Sequence, residues 1–465
     1  MTAFEDRLKA QRDNAPTRVA ALRDAGVTQL VSAYPDTQGN LRTKMGPLKY
    51  AATGESFNGI FYCTGHGDGL PGDDFYLPSP VCSEAEGYPN ILAIADMDTA
   101  YAHPWSAGTA SVLLDSYMPD GSRCAVDPRA LVERLDAAAR AQGIETRFAL
   151  EYECGIFRAD AERIAERRFG ELDPWGFSLM GYNNLRSAEY QAFVAEFIAR
   201  CAALDISISA FSTEHGYGMY EFGLAPATAL KACDDAVRAK YVLRELCNER
   251  GLVITFMARF RPPGQESASG AHHHVSLWQG DTPATLDSDG EFSAPARQFL
   301  AGMLDRLVET HLLFRPTLNA YRRMERAAWS PLEVSWGLEN RTAAVRAIKL
   351  PDARAARFEH RVSGSDINPY HTVAGLLAAG CDGVTRALEL PAPAGPVPSA
   401  DTANLPATLQ ASIEHFEQSA FSQEAFGSEC HQHLARSARS ELEAFQAWYE
   451  RHITEFEWQR YFQTA

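Results

Sequence analysis

Four stretches of the chain hold side chains able to do chemistry together. In ETRFALEYECGIF, residues 145–157, Phe148, Leu150, Tyr152, Cys154 and Ile156 alternate with Arg147, Ala149, Glu151, Glu153 and Gly155. A strand there buries one face and presents two carboxylates on the other. SGAHHHVSLW follows a Pro/Gly-rich loop and places His272 and His274 on one face of a strand, with His273 pointing the other way. Glu214 and Glu221 bracket a Gly-rich turn in STEHGYGMYEF. In ARFEHRV, Arg357, Glu359 and Arg361 share one strand face, and Phe358, His360 and Val362 share the other.

Singly, each feature has a bland explanation: acids on a solvated sheet face, histidines hydrogen-bonded in a core. Jointly, Glu151, Glu153, Glu214, Glu221 and Glu359 with His272 form a set that repels itself unless cations lie among them. Oxygen donors with one imidazole suit Mg²⁺ or Mn²⁺ better than zinc, which prefers more nitrogen and sulfur. RPTLNAYRRMERAAWSP adds Arg322, Arg323 and Arg326, and Arg341 and Arg346 follow. Guanidiniums beside such cations fit phosphoryl transfer, where catalysis is largely positioning and charge neutralisation. The sequence has neither a Walker A loop nor a GxGxxG motif, so a nucleotide needs another cradle.

The positioning elements are legible in outline. From Val27 to about Ser116, short apolar runs broken by Gly and Pro read as a small β-rich domain. CAVDPRALVERLDAAARAQG opens a second domain with Asp127 as N-cap, Pro128 at the first helical position, an apolar stripe through Leu131, Val132, Leu135 and Ala138, and Gly143 past the end. Helices are expected over Arg186–Leu204, Thr228–Arg250 and Ala294–Leu313, with another after Asn368–Tyr370. ELPAPAGPVPSADTANLP reads as a Pro-rich loop, and the remainder as helical.

Composition bounds the partners. At 465 residues and 46% apolar content the chain can bury a sizeable core, and length alone fits about three domains. Forty-three basic against sixty acidic residues give a net charge of −17, which disfavours nucleic acid or an anionic membrane as partner. The charged opening MTAFEDRLKAQRD and the shortness of the longest apolar run, Thr372–Cys381, lead us to expect a cytoplasmic protein with no membrane span. Nine cysteines without a CxxC pair read as reduced, buried thiols.

In order, EYE at 151–153, Glu214 and Glu221 around their turn, SGAHHHVS, NRTAAVR, and RFEHR followed by NPY resemble the motifs of the glutamine synthetase superfamily. PWSAGTASVLLDSYMPDG is similar to that family's entry into its catalytic domain, and the resemblance runs from about Val27 to the C-terminus. It implies an α+β fold, with a β-grasp-like N-terminal domain (1–118) and a catalytic domain (119–465) on a curved antiparallel sheet flanked by helices. It also implies a homo-oligomer of stacked rings, a dodecamer, with active sites between neighbouring subunits. ATP as co-substrate and two or three Mg²⁺ or Mn²⁺ per site come with it. By this resemblance Glu153, Glu214 and Glu221 hold one metal, and Glu151, His272 and Glu359 the other. His274, Ser276 and Arg357 fall near the nucleotide, Arg323 at the glutamate substrate, Arg361 near its γ-carboxylate, and Arg341 and Arg346 around the transferring phosphate. Arg341 and Arg346 have opposite strand parity, so a bend is expected between them. The implied reaction has two steps: the γ-carboxylate of glutamate attacks the γ-phosphate of ATP, then a neutral amine attacks the acyl phosphate.

Departures from the family pattern bear on the amine. Ammonia-using members carry Asp-Gly-Ser-Ser where this chain has Asn58-Gly59-Ile60-Phe61, and a flap glutamate where it has Trp329, although Tyr182 and Glu214 are kept. Losing two carboxylates that attract a cation makes ammonium a poor ligand, so an organic amine is expected. Trp329, with Phe57 and Phe61 as neighbours, suits an apolar or aromatic one; packing of the flap is the alternative role. Ser267-Ala268 replaces the Asn-Gly of the usual glutamate loop, and the Pro-rich loop Leu388–Pro406 has no tyrosine for adenylylation. The expected activity is ATP-dependent ligation of glutamate and an organic amine. A glutamine synthetase using ammonium and a non-catalytic regulatory paralogue are the alternatives.

Overall fold

The computed structural model describes residues 3–51, 55–62, 79, 81–176, 181–183, 188–261, 268–326, 329–395 and 402–464. The charged opening text, from which no element was expected, forms α1 (Ala3–Asp24), with Pro16 inside it. Gln11 ties this helix to a sheet by donating from Nε2 to the carbonyls of Ala51 and Ala95. That sheet comprises β1 (Gln29–Pro35), β2 (Leu41–Pro47), β3 (Glu55–Asn58), β4 (Asn90–Ala102) and β5 (Thr109–Tyr117), in the order β2-β1-β5-β4-β3. β1 and β5 are parallel and the other neighbours antiparallel, a β-grasp-like arrangement. Leu30, Ile91, Val112 and Leu114 lie in its core, which reaches Val126.

A second, larger core begins with α2 (Pro128–Ala141), capped by Asp127 accepting from the Arg129 amide as the sequence leads one to expect. β6 (Glu145–Arg158), α3 (Ala161–Ala165), α4 (Ala188–Ala203), β7 (Ile208–Thr213), β8 (Met219–Leu224), α5 (Ala229–Glu249), β9 (Leu252–Thr255), β10 (Ala271–Gln279) and β11 (Thr282–Pro283) follow. The helix expected over 294–313 is two, α6 (Ala294–Asp305) and α7 (Leu307–Phe314). They part at Arg306, whose guanidinium turns to Asp382 and Glu309. α8 (Leu318–Tyr321), β12 (Trp336–Leu338), β13 (Val345–Ile348), β14 (Arg357–His360), α9 (Pro369–Thr385), α10 (Leu409–Gln418), α11 (Ala420–Phe426), α12 (Ser428–Glu450) and α13 (Glu455–Tyr461) complete the chain.

The nine-stranded sheet runs β12-β13-β14-β10-β6-β8-β7, with β9 on β6 and β11 on β10. It is antiparallel except for β12 and β13. α5 packs behind β6, where Lys240 Nζ sits 4.8 Å from the centroid of the Tyr152 ring. Helix α6 crosses α9 so closely that a Cβ at Gly302 would lie 2.1 Å from the Ala379 carbonyl oxygen. His273 does point away from its neighbours, into the core, and shares a hydrogen bond of 2.7 Å with Thr372 Oγ1. The eight described cysteines are buried free thiols, and no helix among the described residues is long and apolar enough to cross a membrane.

Candidate functional site

Strand register assembles the site. On β6 and β10, Glu151 lies opposite His272; on β10 and β14, His274 lies opposite Glu359; on β6 and β8, Glu153 lies opposite Glu221; on β13 and β14, Arg346 lies opposite Glu359. Cross-strand partners project to the same side of a sheet, so these side chains share one concave face. Burial along β6 alternates to match, with Phe148, Leu150, Tyr152 and Cys154 inside and Glu151 and Glu153 half-buried.

The acids and imidazoles are in mutual contact. His272 Nδ1 is 3.3 Å from Glu151 Oε2 and 3.6 Å from Glu359 Oε1, and His274 Nε2 is 2.9 Å from Glu151 Oε1. Arginines border them: Arg346 Nη1 donates to Glu359 Oε2 at 3.0 Å, Arg361 donates to Glu359 Oε1, and Arg357 Nε donates to His274 Nδ1 at 3.1 Å. Arg361 Nε also donates to the carbonyl of Arg341 at 3.1 Å. Arg341 stands in the turn before β13, so the bend expected between it and Arg346 is present. Arg323 is buried, donating to Ser330 Oγ and to the Val362 carbonyl.

Electrostatics mark the face as incomplete. Burial, reinforced by Glu151, Glu153 and Glu214, pushes the Glu221 carboxyl up to about 9; burial and Glu153 push Glu214 up to about 7. Burial also acts against Glu359, but His272 and Arg361 outweigh it and hold that carboxyl down at about 2. Burial likewise acts against Glu151, but His274 and His272 hold it well below the usual carboxylate range, so it is Glu214 and Glu221 whose ionisation calls for positive charge from outside the chain. The donor set fits divalent cations: ligand atoms of Glu151, Glu221 and His272 all lie within 4.8 Å of one another, as do those of Glu151, His274 and Glu359. His272 Nε2 is buried with no hydrogen-bond partner. Neither grouping includes Glu153, whose Oε2 accepts from the Gly270 amide at 2.7 Å, or Glu214, which sits at the edge in the turn between β7 and β8.

The remaining expected residues fall around this face or away from it. Ser276 is on β10 two residues beyond His274, accepting from Trp278 Nε1 at 2.8 Å. Tyr182 donates its backbone N–H to the Thr213 carbonyl and is 77% exposed, close enough to Glu214 to feel its charge. Trp329 is 59% exposed and adopts φ 52°, an uncommon conformation for a large side chain. Ala268 bridges to Arg259, while Ser267 lies outside the described residues. Of Asn58 only the backbone is described, on edge strand β3 of the other sheet; Phe57 stacks on Tyr34 with ring centroids 4.0 Å apart. Sequence reasoning missed Gly270: a Cβ there would lie 2.6 Å from Arg323 Nη2 and 3.0 Å from His272 Nε2. Glu339 was missed too; its Oε2 accepts from Arg346 Nε at 3.0 Å.

A family model described as glutamine synthetase, catalytic domain, matches residues 125–461. The chain is 31% identical to the gamma-glutamylethanolamide synthetase of Streptomyces coelicolor, across 95% of this chain and 94% of that one. It is 33% identical to a glutamate–isopropylamine ligase of a Pseudomonas species, across 65% and 66% of the two chains. It is 32% identical to the gamma-glutamylputrescine synthetase of Escherichia coli, across 60% of each. A solved structure titled GmaS/ADP complex shares the fold, with a TM-score of 0.79 at 22% identity, covering 96% of this chain and 99% of the other.

Proposed function

The chain belongs to the glutamine synthetase family, and from that premise we propose that it is an ATP-dependent ligase joining the γ-carboxylate of glutamate to an organic amine through γ-glutamyl phosphate. One observation carries the reading: the register that gathers Glu151, Glu153, Glu221, Glu359, His272 and His274 on one face, bordered by Arg346, Arg357 and Arg361. The ligase relatives, named for ethanolamide, isopropylamine and putrescine, support an amine other than ammonium.

Mg²⁺ or Mn²⁺, two or three per site, would be held by Glu153, Glu214 and Glu221 and by Glu151, His272 and Glu359, and would neutralise phosphate charge during transfer. Arg341 and Arg346 would present N–H donors to the charge that develops on the transferring phosphoryl group, with Arg361 near the γ-carboxylate that receives it. Burial lowers Arg323 to about 10, still well above neutrality, so it stays cationic and can hold a carboxylate of glutamate, the substrate to which Ser267 and Ala268 are also assigned. His274, Ser276 and Arg357 border the nucleotide. Tyr182, Glu214, Trp329 and Asn58 border the amine. An exposed indole at Trp329 favours an apolar or aromatic amine. Asn58, on the other sheet, would take its part in the site across a subunit boundary, in a ring-stacked dodecamer. Exposed aromatics at Phe456, Trp458 and Phe462 near the C-terminus support burial against another copy. We assign the domains to 1–118 and 119–465 and the protein to the cytoplasm.

The test is ATP-dependent phosphate release with glutamate and Mg²⁺, comparing ammonium with methylamine, ethanolamine, isopropylamine, putrescine and aniline, and identifying products by mass. Preference for one organic amine with a γ-glutamylamide product is expected. Preference for ammonium would make the chain a glutamine synthetase, and ATP binding without turnover on any amine would make it a regulatory paralogue.

A further inference from the structure

A cavity of about 190 Å³ lies away from the acid face, in the seam between the five-stranded sheet and α5. Val31, Leu41, Val112 and Val242 supply apolar wall, and Arg238 supplies a cation. Arg238 is only 6% exposed, and one of its terminal nitrogens has no hydrogen-bond partner. Asp234 and Asp235, one turn earlier on α5, favour its charge, but burial outweighs them and no carboxylate among the described residues is in direct contact with it. Asp234 is held by Arg129 and Tyr370, and Asp235 by Lys231. The one acid on the cavity wall, Glu245, accepts from Trp105 Nε1 at 3.0 Å, and His103 is bonded to Ser111 Oγ at 2.8 Å. The face of Tyr101, whose centroid is 5.0 Å from the guanidinium carbon, gives Arg238 partial compensation only.

A buried guanidinium with an N–H donor left unfilled is destabilising, and an anion reaching that donor recovers the loss. An apolar cavity of roughly 150 Å³ is large enough for a benzene-sized molecule. We propose that this seam binds a small amphipathic monocarboxylate, with its carboxylate on Arg238 and a body of about six carbons against Val31, Leu41, Val112 and Val242. The inference does not depend on the ligase reading. Occupancy fastens β1, β2 and β5 to α5, the helix that backs β6, and Trp105, stacked on His103 at 4.8 Å, reports it.

The full chain is titrated with hexanoate, hexanamide and hexylamine at saturating glutamate, reading tryptophan emission and Tm. Hexanoate is expected to bind saturably, to raise Tm by a few degrees, and to bind at least about tenfold more tightly than the amide or the amine. Arg238→Met and, separately, the cavity-filling Ala33→Leu should each abolish the response, and Trp105→Phe should remove the emission change while leaving the Tm shift. If Arg238→Met does not fold, Ala33→Leu decides. Equal binding of acid and amide, an unchanged response in Ala33→Leu, or no saturable response to hexanoate would overturn the proposal. Turnover on the amine panel is a separate readout, so failure of either idea leaves the other standing.

Discussion

Two clusters of buried charge can be set side by side: the junction around Arg129 and the acid face around Glu151. Arg129 is wholly buried, yet its guanidinium meets Asp115, Asp96 at 2.9 Å and both oxygens of Asp234 at 3.0 Å, and Tyr370 donates to Asp234 at 2.7 Å. Burial acts against the Asp96 carboxylate, but Arg129 outweighs it and holds the group below its ordinary range. Around Glu214 and Glu221 the balance runs the other way, both being pushed up by burial and by neighbouring carboxylates. A cluster that only supports the fold closes its charge within the chain. The acid face leaves its charge open for something that arrives from outside.

The sharpest way to break this contrast is Glu359→Ala. Phosphate release is expected to fall by about a thousandfold with far-UV circular dichroism unchanged, since the residue anchors Arg346 and Arg361 as well as facing His272. Near-normal turnover would refute its assignment. Arg129→Met should do the opposite, lowering stability by about 3–5 kcal/mol in denaturant titration by stranding three aspartates, with kcat per folded molecule preserved. A change below about 1 kcal/mol would show that the junction is not a closed network.

Lys240 refines the comparison, as a buried cation behind the acid face. Burial, helped by Arg244, lowers it to about 7 from 10.5 in the unfolded chain. Between those values the unfolded chain keeps a proton that the folded one has released, so this group's contribution to stability rises with pH across the window and is lost as pH falls through 7. Lys240→Met is therefore expected to be more stable than wild type by a few kcal/mol near pH 6, the advantage shrinking toward pH 10. A pH-independent difference would contradict this. The smallest effect concerns selectivity: Trp329→Glu with Asn58→Asp should shift the ratio of ammonium to organic-amine turnover by about tenfold. No change in that ratio would remove both positions from the amine site.

What could be read from the sequence was what is local. The alternation of β6, the shared face of His272 and His274, and the Asp127 cap all depend on near neighbours, and the structure has each of them. Register was not legible, because which residue of β10 faces Glu151 is set by packing between strands more than a hundred residues apart. Gly270 escaped for the same reason: the space it leaves is filled by Arg323, from a distant turn. Helix α1 escaped because its charged text carries little periodicity, and the break at Arg306 because its cause is Asp382, on another helix. The departures at Asn58 and Trp329 were visible at once, but what those positions face is a matter of tertiary contact that no local pattern carries.

The most direct test of the open acid face is a calorimetric titration of Mn²⁺ into metal-free wild type and Glu151→Gln, without ATP or glutamate. Glu151 is shared by both groups of candidate ligands. Saturable binding of about two ions per chain is expected in wild type, weakened at least about tenfold in the variant. Equal binding in both proteins, or none in wild type, would contradict the claim that this face is completed by divalent cations.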